Sequence, residues 1–130
     1  MISKETPLIS DLNMLENISL IKEVHEHLAT KYAQKQAREA LAKIDLERIS
    51  LHRVNMCNAY EVFCVSLIRA MMSDDKNVII VSPINLLDNL SSINDLISII
   101  KKLDINKEVV ILDTLSNEAH YKEVSCTIIK

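Results

Sequence analysis

The sequence predicts an α/β fold, in which a helical first half is followed by a small, mainly parallel sheet with flanking helices. Three observations predict this class. Apolar residues recur at helical spacing over about 14–28 and 30–44. The β-branched runs at 78–81 and 109–112 are typical of buried parallel strands. An amphipathic helical segment separates the two runs, which predicts a right-handed crossover between neighbouring parallel strands.

The two helices of the first half have recognisable local signals. Asn13 precedes the first apolar repeat and Glu16 follows three residues later, which is the spacing of a capping box. The second helix has an apolar stripe on one face and a charged opposite face. That stripe is formed by Tyr32, Ala33, Ala37, Ala40, Leu41 and Ile44.

The remaining elements follow from similar patterns. Residues 1–12 are expected to form a loop, and residues 45–58 a short polar link. A helix over 60–72 is apolar around much of its circumference, which predicts that it is well buried. Later elements are a helix capped by Ser91 or Ser92 and ending near Leu103, a short helix around 117–121 and a last strand over 126–129.

The chain has 130 residues and no glycine. Because glycine lets the backbone approach a phosphate group closely, the sequence contains neither a P-loop nor a dinucleotide fingerprint. The net charge is −3 and aromatic residues make up 3% of the chain, so nucleic acid is not an expected partner. Neither a secretory signal nor a membrane-spanning segment is expected, which favours a cytoplasmic protein.

The three cysteines, Cys57, Cys64 and Cys126, are expected to be reduced thiols. Cys57 and Cys64 are seven residues apart, a spacing that is compatible with one helix face. This spacing matches no zinc motif, and neither a metal site nor a cofactor is expected.

Three segments of the sequence occur in an informative order. They are PLISDLNMLENI at 7–18, CNAYEVFCVSLIRAM at 57–71 and VIIVSPINLLD at 78–88. Together they resemble the second part of an ABC-transporter ATPase domain: the stretch after the Q-loop, the signature motif with its helix, and the Walker B strand with the D-loop. Glu61 matches the glutamate of the signature motif, and Asp88 matches the D-loop aspartate. By itself, Glu61 is also typical of an acidic residue in the first turn of a helix.

The resemblance implies one folded unit with a partial P-loop NTPase core. Residues 1–58 would be a Q-loop-like segment and a helical subdomain. Residues 59–130 would be a degenerate signature helix, a Walker B-like strand, a D-loop-like turn and the C-terminal strands. The phosphate-binding segment of the family lies upstream of the Q-loop and is expected to be missing from this chain.

The signature motif is degenerate. Lys4 falls near the position of the Q-loop glutamine, and Asn58 replaces the signature serine. Ala59 and Tyr60 replace the two glycines whose backbone N–H groups approach the γ-phosphate in the family. The tyrosine side chain is expected to fill that space.

The residues for magnesium and water activation are also replaced. Val81 stands in the place of the Walker B aspartate, and Ser82 in that of the catalytic glutamate. Asp113 or Thr114 falls at the position of the switch histidine. Since phosphoryl transfer depends on positioning and charge neutralisation, the resemblance implies a protein without ATPase activity.

The resemblance also implies a partner. In the family, the Q-loop region and the helical subdomain form a groove for a short helix of the membrane permease. The expected contact surface is Leu8, Ile9, Leu12, Met14 and Leu15, together with an exposed edge of the truncated sheet. Unpaired strands and apolar faces favour association, so an oligomer or an obligate complex is expected.

Two functions follow as hypotheses. In the first, the chain is a non-catalytic accessory or regulatory subunit that binds a permease, an active ATPase or a second copy of itself, and lies at the inner membrane through that partner. In the second, it is a stand-alone scaffold or interaction module, derived from an ABC domain and without a transport role. Binding of ATP as a structural ligand is disfavoured by the missing glycines.

Overall fold

Helices predominate in the described part of the chain. A computed structural model describes residues 2, 7–25, 29–73, 77–81, 93–103 and 107–113. Its elements are α1 (Met14–His25), α2 (Thr30–Lys43), the 3-10 helices η1 (Glu47–Ile49) and η2 (Val54–Met56), α3 (Ala59–Met72), β1 (Asn77–Val81), α4 (Ile93–Leu103) and β2 (Glu108–Leu112). This part is therefore mixed α/β and mostly helical, as predicted.

Each predicted helix and strand within the described residues is observed, with small shifts of its ends. The expected end of the first helix, at residue 28, lies outside the described residues. The two candidate N-caps of α4, Ser91 and Ser92, lie outside them as well. The short helix around 117–121 and the strand over 126–129 also lie outside them.

The strands β1 and β2 pair in parallel, with Asn77 opposite Glu108 and Val81 opposite Leu112. The predicted parallel pairing is therefore confirmed. The expectation that residues 1–12 form only a loop is wrong at Ile2. The Ile2 N–H donates to the Ile79 carbonyl at 2.7 Å, and the Ile2 carbonyl accepts from the Val81 N–H at 2.9 Å. A single buried isoleucine carries no periodic signal, so its pairing with β1 was not predictable from local pattern.

One hydrophobic core includes residues from both halves of the chain. Helix α1 packs against α2 and α3, and α3 also contacts β1. The largest fully buried side chains are Met14, Ile18, Leu41, Ile49, Leu67, Ile68, Ile80, Leu96 and Leu103. The prediction that the helix over 60–72 is well buried is confirmed, because six consecutive residues of α3, 63–68, are buried.

Tyr32 does not belong to the buried stripe of α2. Ala33, Ala37, Ala40 and Leu41 are buried as predicted, whereas Tyr32 is 60% exposed. At about 100° per residue, Tyr32 lies beyond the edge of the arc that the alanines occupy. Its inclusion in the stripe was therefore wrong.

The segment 45–58 is not merely a polar link. It contains η1 and η2, and Leu46, Ile49 and Ser50 are buried. Leu46 and Ile49 are three residues apart, and this spacing places both on one side of a 3-10 turn. The segment thereby contributes two apolar side chains to the core.

The same segment also helps to close the N-terminus of α1. The Asn13 Oδ1 atom accepts from the Glu16 N–H at 2.8 Å, and the Glu16 Oε1 atom accepts from the Asn13 N–H at 3.0 Å. This confirms the predicted capping box. The Met14 and Leu15 N–H groups donate to two carbonyl oxygens of segment 45–58, at 2.8 and 2.9 Å. The N–H groups that a helix start normally leaves without partners are thus satisfied.

Helix α2 ends in a left-handed turn without glycine. Asp45 has a φ of 59°, the one positive φ among the described residues. The Leu46 N–H donates to the Leu41 carbonyl at 2.9 Å, and the Asp45 N–H donates to the Ala42 carbonyl at 3.2 Å. This is a Schellman motif, with aspartate at the position where glycine is most common.

Replacing Asp45 by glycine is expected to stabilise the protein. Glycine adopts positive φ without steric cost, so Asp45→Gly should raise the free energy of unfolding by about 1 kcal/mol. Urea unfolding monitored by circular dichroism measures this change. Asp11→Gly is the matched control, since Asp11 is exposed in a turn without positive φ. A gain of stability in the control equal to that of Asp45→Gly would contradict the explanation.

Candidate functional site

The residues expected at the signature motif lie at the N-terminus of α3. Asn58 is the N-cap, and Ala59, Tyr60 and Glu61 form the first turn. The Asn58 Oδ1 atom accepts from the Glu61 N–H at 2.8 Å, and the Glu61 Oε1 atom accepts from the Asn58 N–H at 3.0 Å. These four residues therefore form a second capping box, with Glu61 as its first-turn acid.

An ion pair occupies the second oxygen of the Glu61 carboxylate. Glu61 Oε2 lies 2.9 Å from Nη1 of Arg48, in the 3-10 helix η1. The Glu61 side chain is 8% exposed, whereas the Arg48 side chain is 67% exposed. Because the arginine is largely solvated, the pair should contribute about 1 kcal/mol or less to stability. It also ties η1 to the start of α3.

The N-terminus of α3 is thus occupied by a carboxylate of the chain itself. Helix N-termini attract anions, because their backbone N–H groups and dipole are positive. Here Glu61 supplies the negative charge, and Asn58 bonds the N–H of residue 61. Ala59 and Tyr60 add a Cβ atom and a partly exposed aromatic ring to the same turn. In this arrangement the chain's own side chains satisfy the N–H groups of residues 58 and 61, and the Glu61 carboxylate offsets the positive end of the helix dipole.

Two other expected positions lie at the carboxyl edge of the sheet. Val81 is the last residue of β1, and Asp113 follows β2 directly. Val81 pairs in register with Leu112, so the parallel sheet brings Val81 and Asp113 to the same edge. This is the edge at which ligands bind in open α/β sheets. Lys4, Ser82 and Asp88 lie outside the described residues.

The expected contact surface is largely part of the core. Leu8, Met14 and Leu15 are buried, Leu12 is half-buried, and only Ile9 is strongly exposed, at 47%. The side chains of Leu8, Met14 and Leu15 are therefore not accessible to a partner in this conformation of the chain. Their side chains belong to the same hydrophobic core as α2 and α3.

The side chain of Asn17 holds the residues that precede α1 against that helix, a role that was not predicted from the sequence. Its buried side chain accepts from the Ile9 N–H through Oδ1 at 2.8 Å. Its Nδ2 group donates to the carbonyl oxygens of Ile9, Leu12 and Asn13, at 3.1, 3.3 and 3.0 Å. These bonds hold the chain before α1 against the helix and bury Leu8. An asparagine within a helix is the only sequence signal, since asparagine is an unfavourable residue there unless its amide has partners.

The two described cysteines do not share a helix face. Cys57 follows η2 and is half-buried, whereas Cys64 is buried inside α3. Burial raises the pKa of the Cys64 thiol to about 12. Burial and, secondarily, the negative charge of Glu61 also raise the pKa of Cys57. Both side chains are therefore held as thiols near neutral pH, and Cys126 lies outside the described residues.

Within the described ranges, no three histidine, cysteine, aspartate or glutamate side chains are grouped so that they could hold a metal ion. None of the helices in these ranges combines the length and the apolar character needed to cross a membrane.

Comparison with known proteins adds no relative: no protein-family model and no curated protein matches the sequence. The resemblance to the ABC family therefore stays a prediction from the order and spacing of the three segments named above.

Removing the charge of Glu61 should destabilise the protein more than the same change at Glu16. Both residues accept the N–H of their N-cap asparagine at 3.0 Å, and only Glu61 has an ion pair among the described residues. Glu61→Gln should lower the free energy of unfolding by about 1 kcal/mol, and Glu16→Gln by about 0.5 kcal/mol or less.

Urea unfolding of both variants, alone and with Arg48→Ala, measures this difference. In the Arg48→Ala background, the extra cost of Glu61→Gln should largely disappear. An equal cost of the two glutamine variants in the wild-type background would contradict the role assigned to the ion pair.

The raised pKa values of Cys57 and Cys64 predict that thiol reagents modify both side chains slowly in the folded protein. In a Cys126→Ser variant at pH 8, a disulfide reagent such as DTNB should modify Cys57 more slowly than a free cysteine, whose pKa is about 8.5. Cys64 should react only after unfolding in urea, because a raised pKa leaves little thiolate and burial blocks access. The Cys57 rate should continue to rise above pH 9, because the thiolate fraction is still increasing there. Rapid modification of either folded thiol at pH 8 would contradict the assignment.

Proposed function

We propose that this protein is a non-catalytic, ABC-ATPase-like accessory or regulatory subunit that acts by binding a partner. The observation that carries the proposal is the closed N-terminus of α3. At the positions that the resemblance assigns to the signature motif, the two capping side chains, Asn58 and Glu61, are both engaged within the chain.

The shape of this turn supports a role without catalysis. The Tyr60 side chain adds bulk where the family has a glycine. The position of the catalytic glutamate is a serine in the sequence, which is a poor general base.

The partner that we propose is a membrane permease, an active ATPase of the same system or a second copy of the chain. Ile9 is the exposed residue that remains of the expected contact surface. Helix α1 also exposes Leu20 and Val24, which are four residues apart and so lie on one helix face. Through such a partner, the protein would lie at the cytoplasmic face of the inner membrane.

Affinity capture from gently solubilised native membranes tests this function. The tagged wild-type chain should recover a polytopic permease or an intact ABC ATPase, identified by mass spectrometry. Ile9→Asp should reduce the recovery several-fold, because it places a charge in the contact. Leu51→Asp is the matched control, since Leu51 is an exposed leucine, at 71%, in segment 45–58.

Recovery of soluble proteins alone would contradict the transporter role and favour the scaffold module instead. Light scattering of the purified chain tests self-association at the same time.

Magnesium-ATP at millimolar concentration should leave the thermal unfolding midpoint unchanged, since a ligand that binds the native state raises it. A saturable rise would contradict a protein whose nucleotide site is lost.

A further inference from the structure

The solvent-facing side of α2 carries a row of positive charge. Lys31, Lys35 and Arg38 are exposed and lie four and three residues apart. This spacing places them within an arc of about 60° on the helix, roughly opposite the buried alanines. Among the described residues, none of the three has an ion pair or a side-chain hydrogen bond.

This positive charge is local to α2. The helix contains four cations, Lys31, Lys35, Arg38 and Lys43, against one anion, Glu39, whereas the whole chain has a net charge of −3. The cationic row therefore stands out on a chain that is acidic overall, and cations that have no ion pair attract acidic groups.

The row also lines an open concavity in the protein surface. Its walls also include the exposed ring of Tyr32 and the carboxylates of Glu39 and Glu47. A concave surface with cations along its length and a partly exposed aromatic ring beside them offers both charge and apolar contact to an elongated ligand.

We propose that this concave face of α2 binds an acidic segment of a partner protein. The proposal rests on the proposed function, since it names the surface and the chemistry through which a partner is bound. Along the helix, Lys35 lies about 6 Å from Lys31, and Arg38 about 4.5 Å further on. Aspartate or glutamate residues at three- and four-residue spacing on a partner helix match these intervals. The Arg38 guanidinium can bind one carboxylate through two parallel hydrogen bonds.

The structure favours an acidic polypeptide over the two other anionic surfaces. A membrane-bound basic helix inserts an apolar face into the lipid, but Ala33, Ala37, Ala40 and Leu41, which form the apolar face of α2, are buried. Nucleic acid affinity comes from many phosphate contacts, and here Glu39 and Glu47 share the concavity with only three cations.

Binding of fluorescein-labelled poly-L-glutamate to the full-length chain tests this inference by fluorescence anisotropy. At about 50 mM salt the wild-type protein should bind it, and binding should weaken as salt rises. The Lys35→Gln/Arg38→Gln variant should bind about tenfold or more weakly. Lys101→Gln/Lys102→Gln is the matched control, with the same loss of charge at two exposed positions of α4, and should change the affinity less than about twofold.

Three results would overturn the inference: no binding by the wild-type protein, equal weakening by the two variants, or α2-dependent binding to phosphatidylserine vesicles without binding to poly-L-glutamate. Circular dichroism and urea unfolding of both variants establish that they are folded. If the Lys35→Gln/Arg38→Gln variant still captures a permease or an ATPase as wild type does, the inference fails and the proposed function stands. If poly-L-glutamate binding depends on α2 but no transporter component is captured, the proposed function fails and the α2 surface stands.

Discussion

The arrangement of α1 and α3 depends on acceptors for the backbone N–H groups that begin these two helices. Each helix start leaves several such groups without partners inside the helix. Helices α1 and α3 both meet this requirement with an asparagine and a glutamate three residues later, Asn13 with Glu16 and Asn58 with Glu61. For α1, carbonyl groups of segment 45–58 accept two further N–H groups. The cap of α1 therefore also joins the first helix to the segment that leads into α3.

The cap of α3 links this structural requirement to the functional proposal. The carboxylate that satisfies the helix start also pairs with Arg48, so one acidic group stabilises α3, anchors η1 and neutralises the positive end of the helix. An anionic ligand at this turn would have to compete with that carboxylate. In contrast, Lys31, Lys35 and Arg38 of α2 have no ion pair among the described residues. Recognition of anionic groups by this protein is thus expected on the side of a helix and not at a helix terminus.

The lack of glycine has a direct structural consequence at the end of α2. A left-handed residue is needed there for the Schellman motif, and Asp45 provides it. Aspartate tolerates this conformation better than most residues, because its short polar side chain can bond locally. The turn directs Leu46 into the core and begins the segment that closes α1. A single unusual backbone angle thus supports both the packing and the cap.

The sequence by itself determined the features that depend on neighbouring residues. The helices, the two β-branched strands and the Asn13–Glu16 cap follow from local periodicity and spacing, as does the role of Glu61 as a first-turn acid. Only the tertiary structure decided which apolar residues are accessible. Leu8, Met14 and Leu15 have the composition of a contact surface, but the hydrogen bonds of Asn17 and the packing of α1 on α3 bury them. The pairing of Ile2 with β1 and the different surroundings of Cys57 and Cys64 were likewise decided by contacts between residues distant in sequence, which no local pattern encodes.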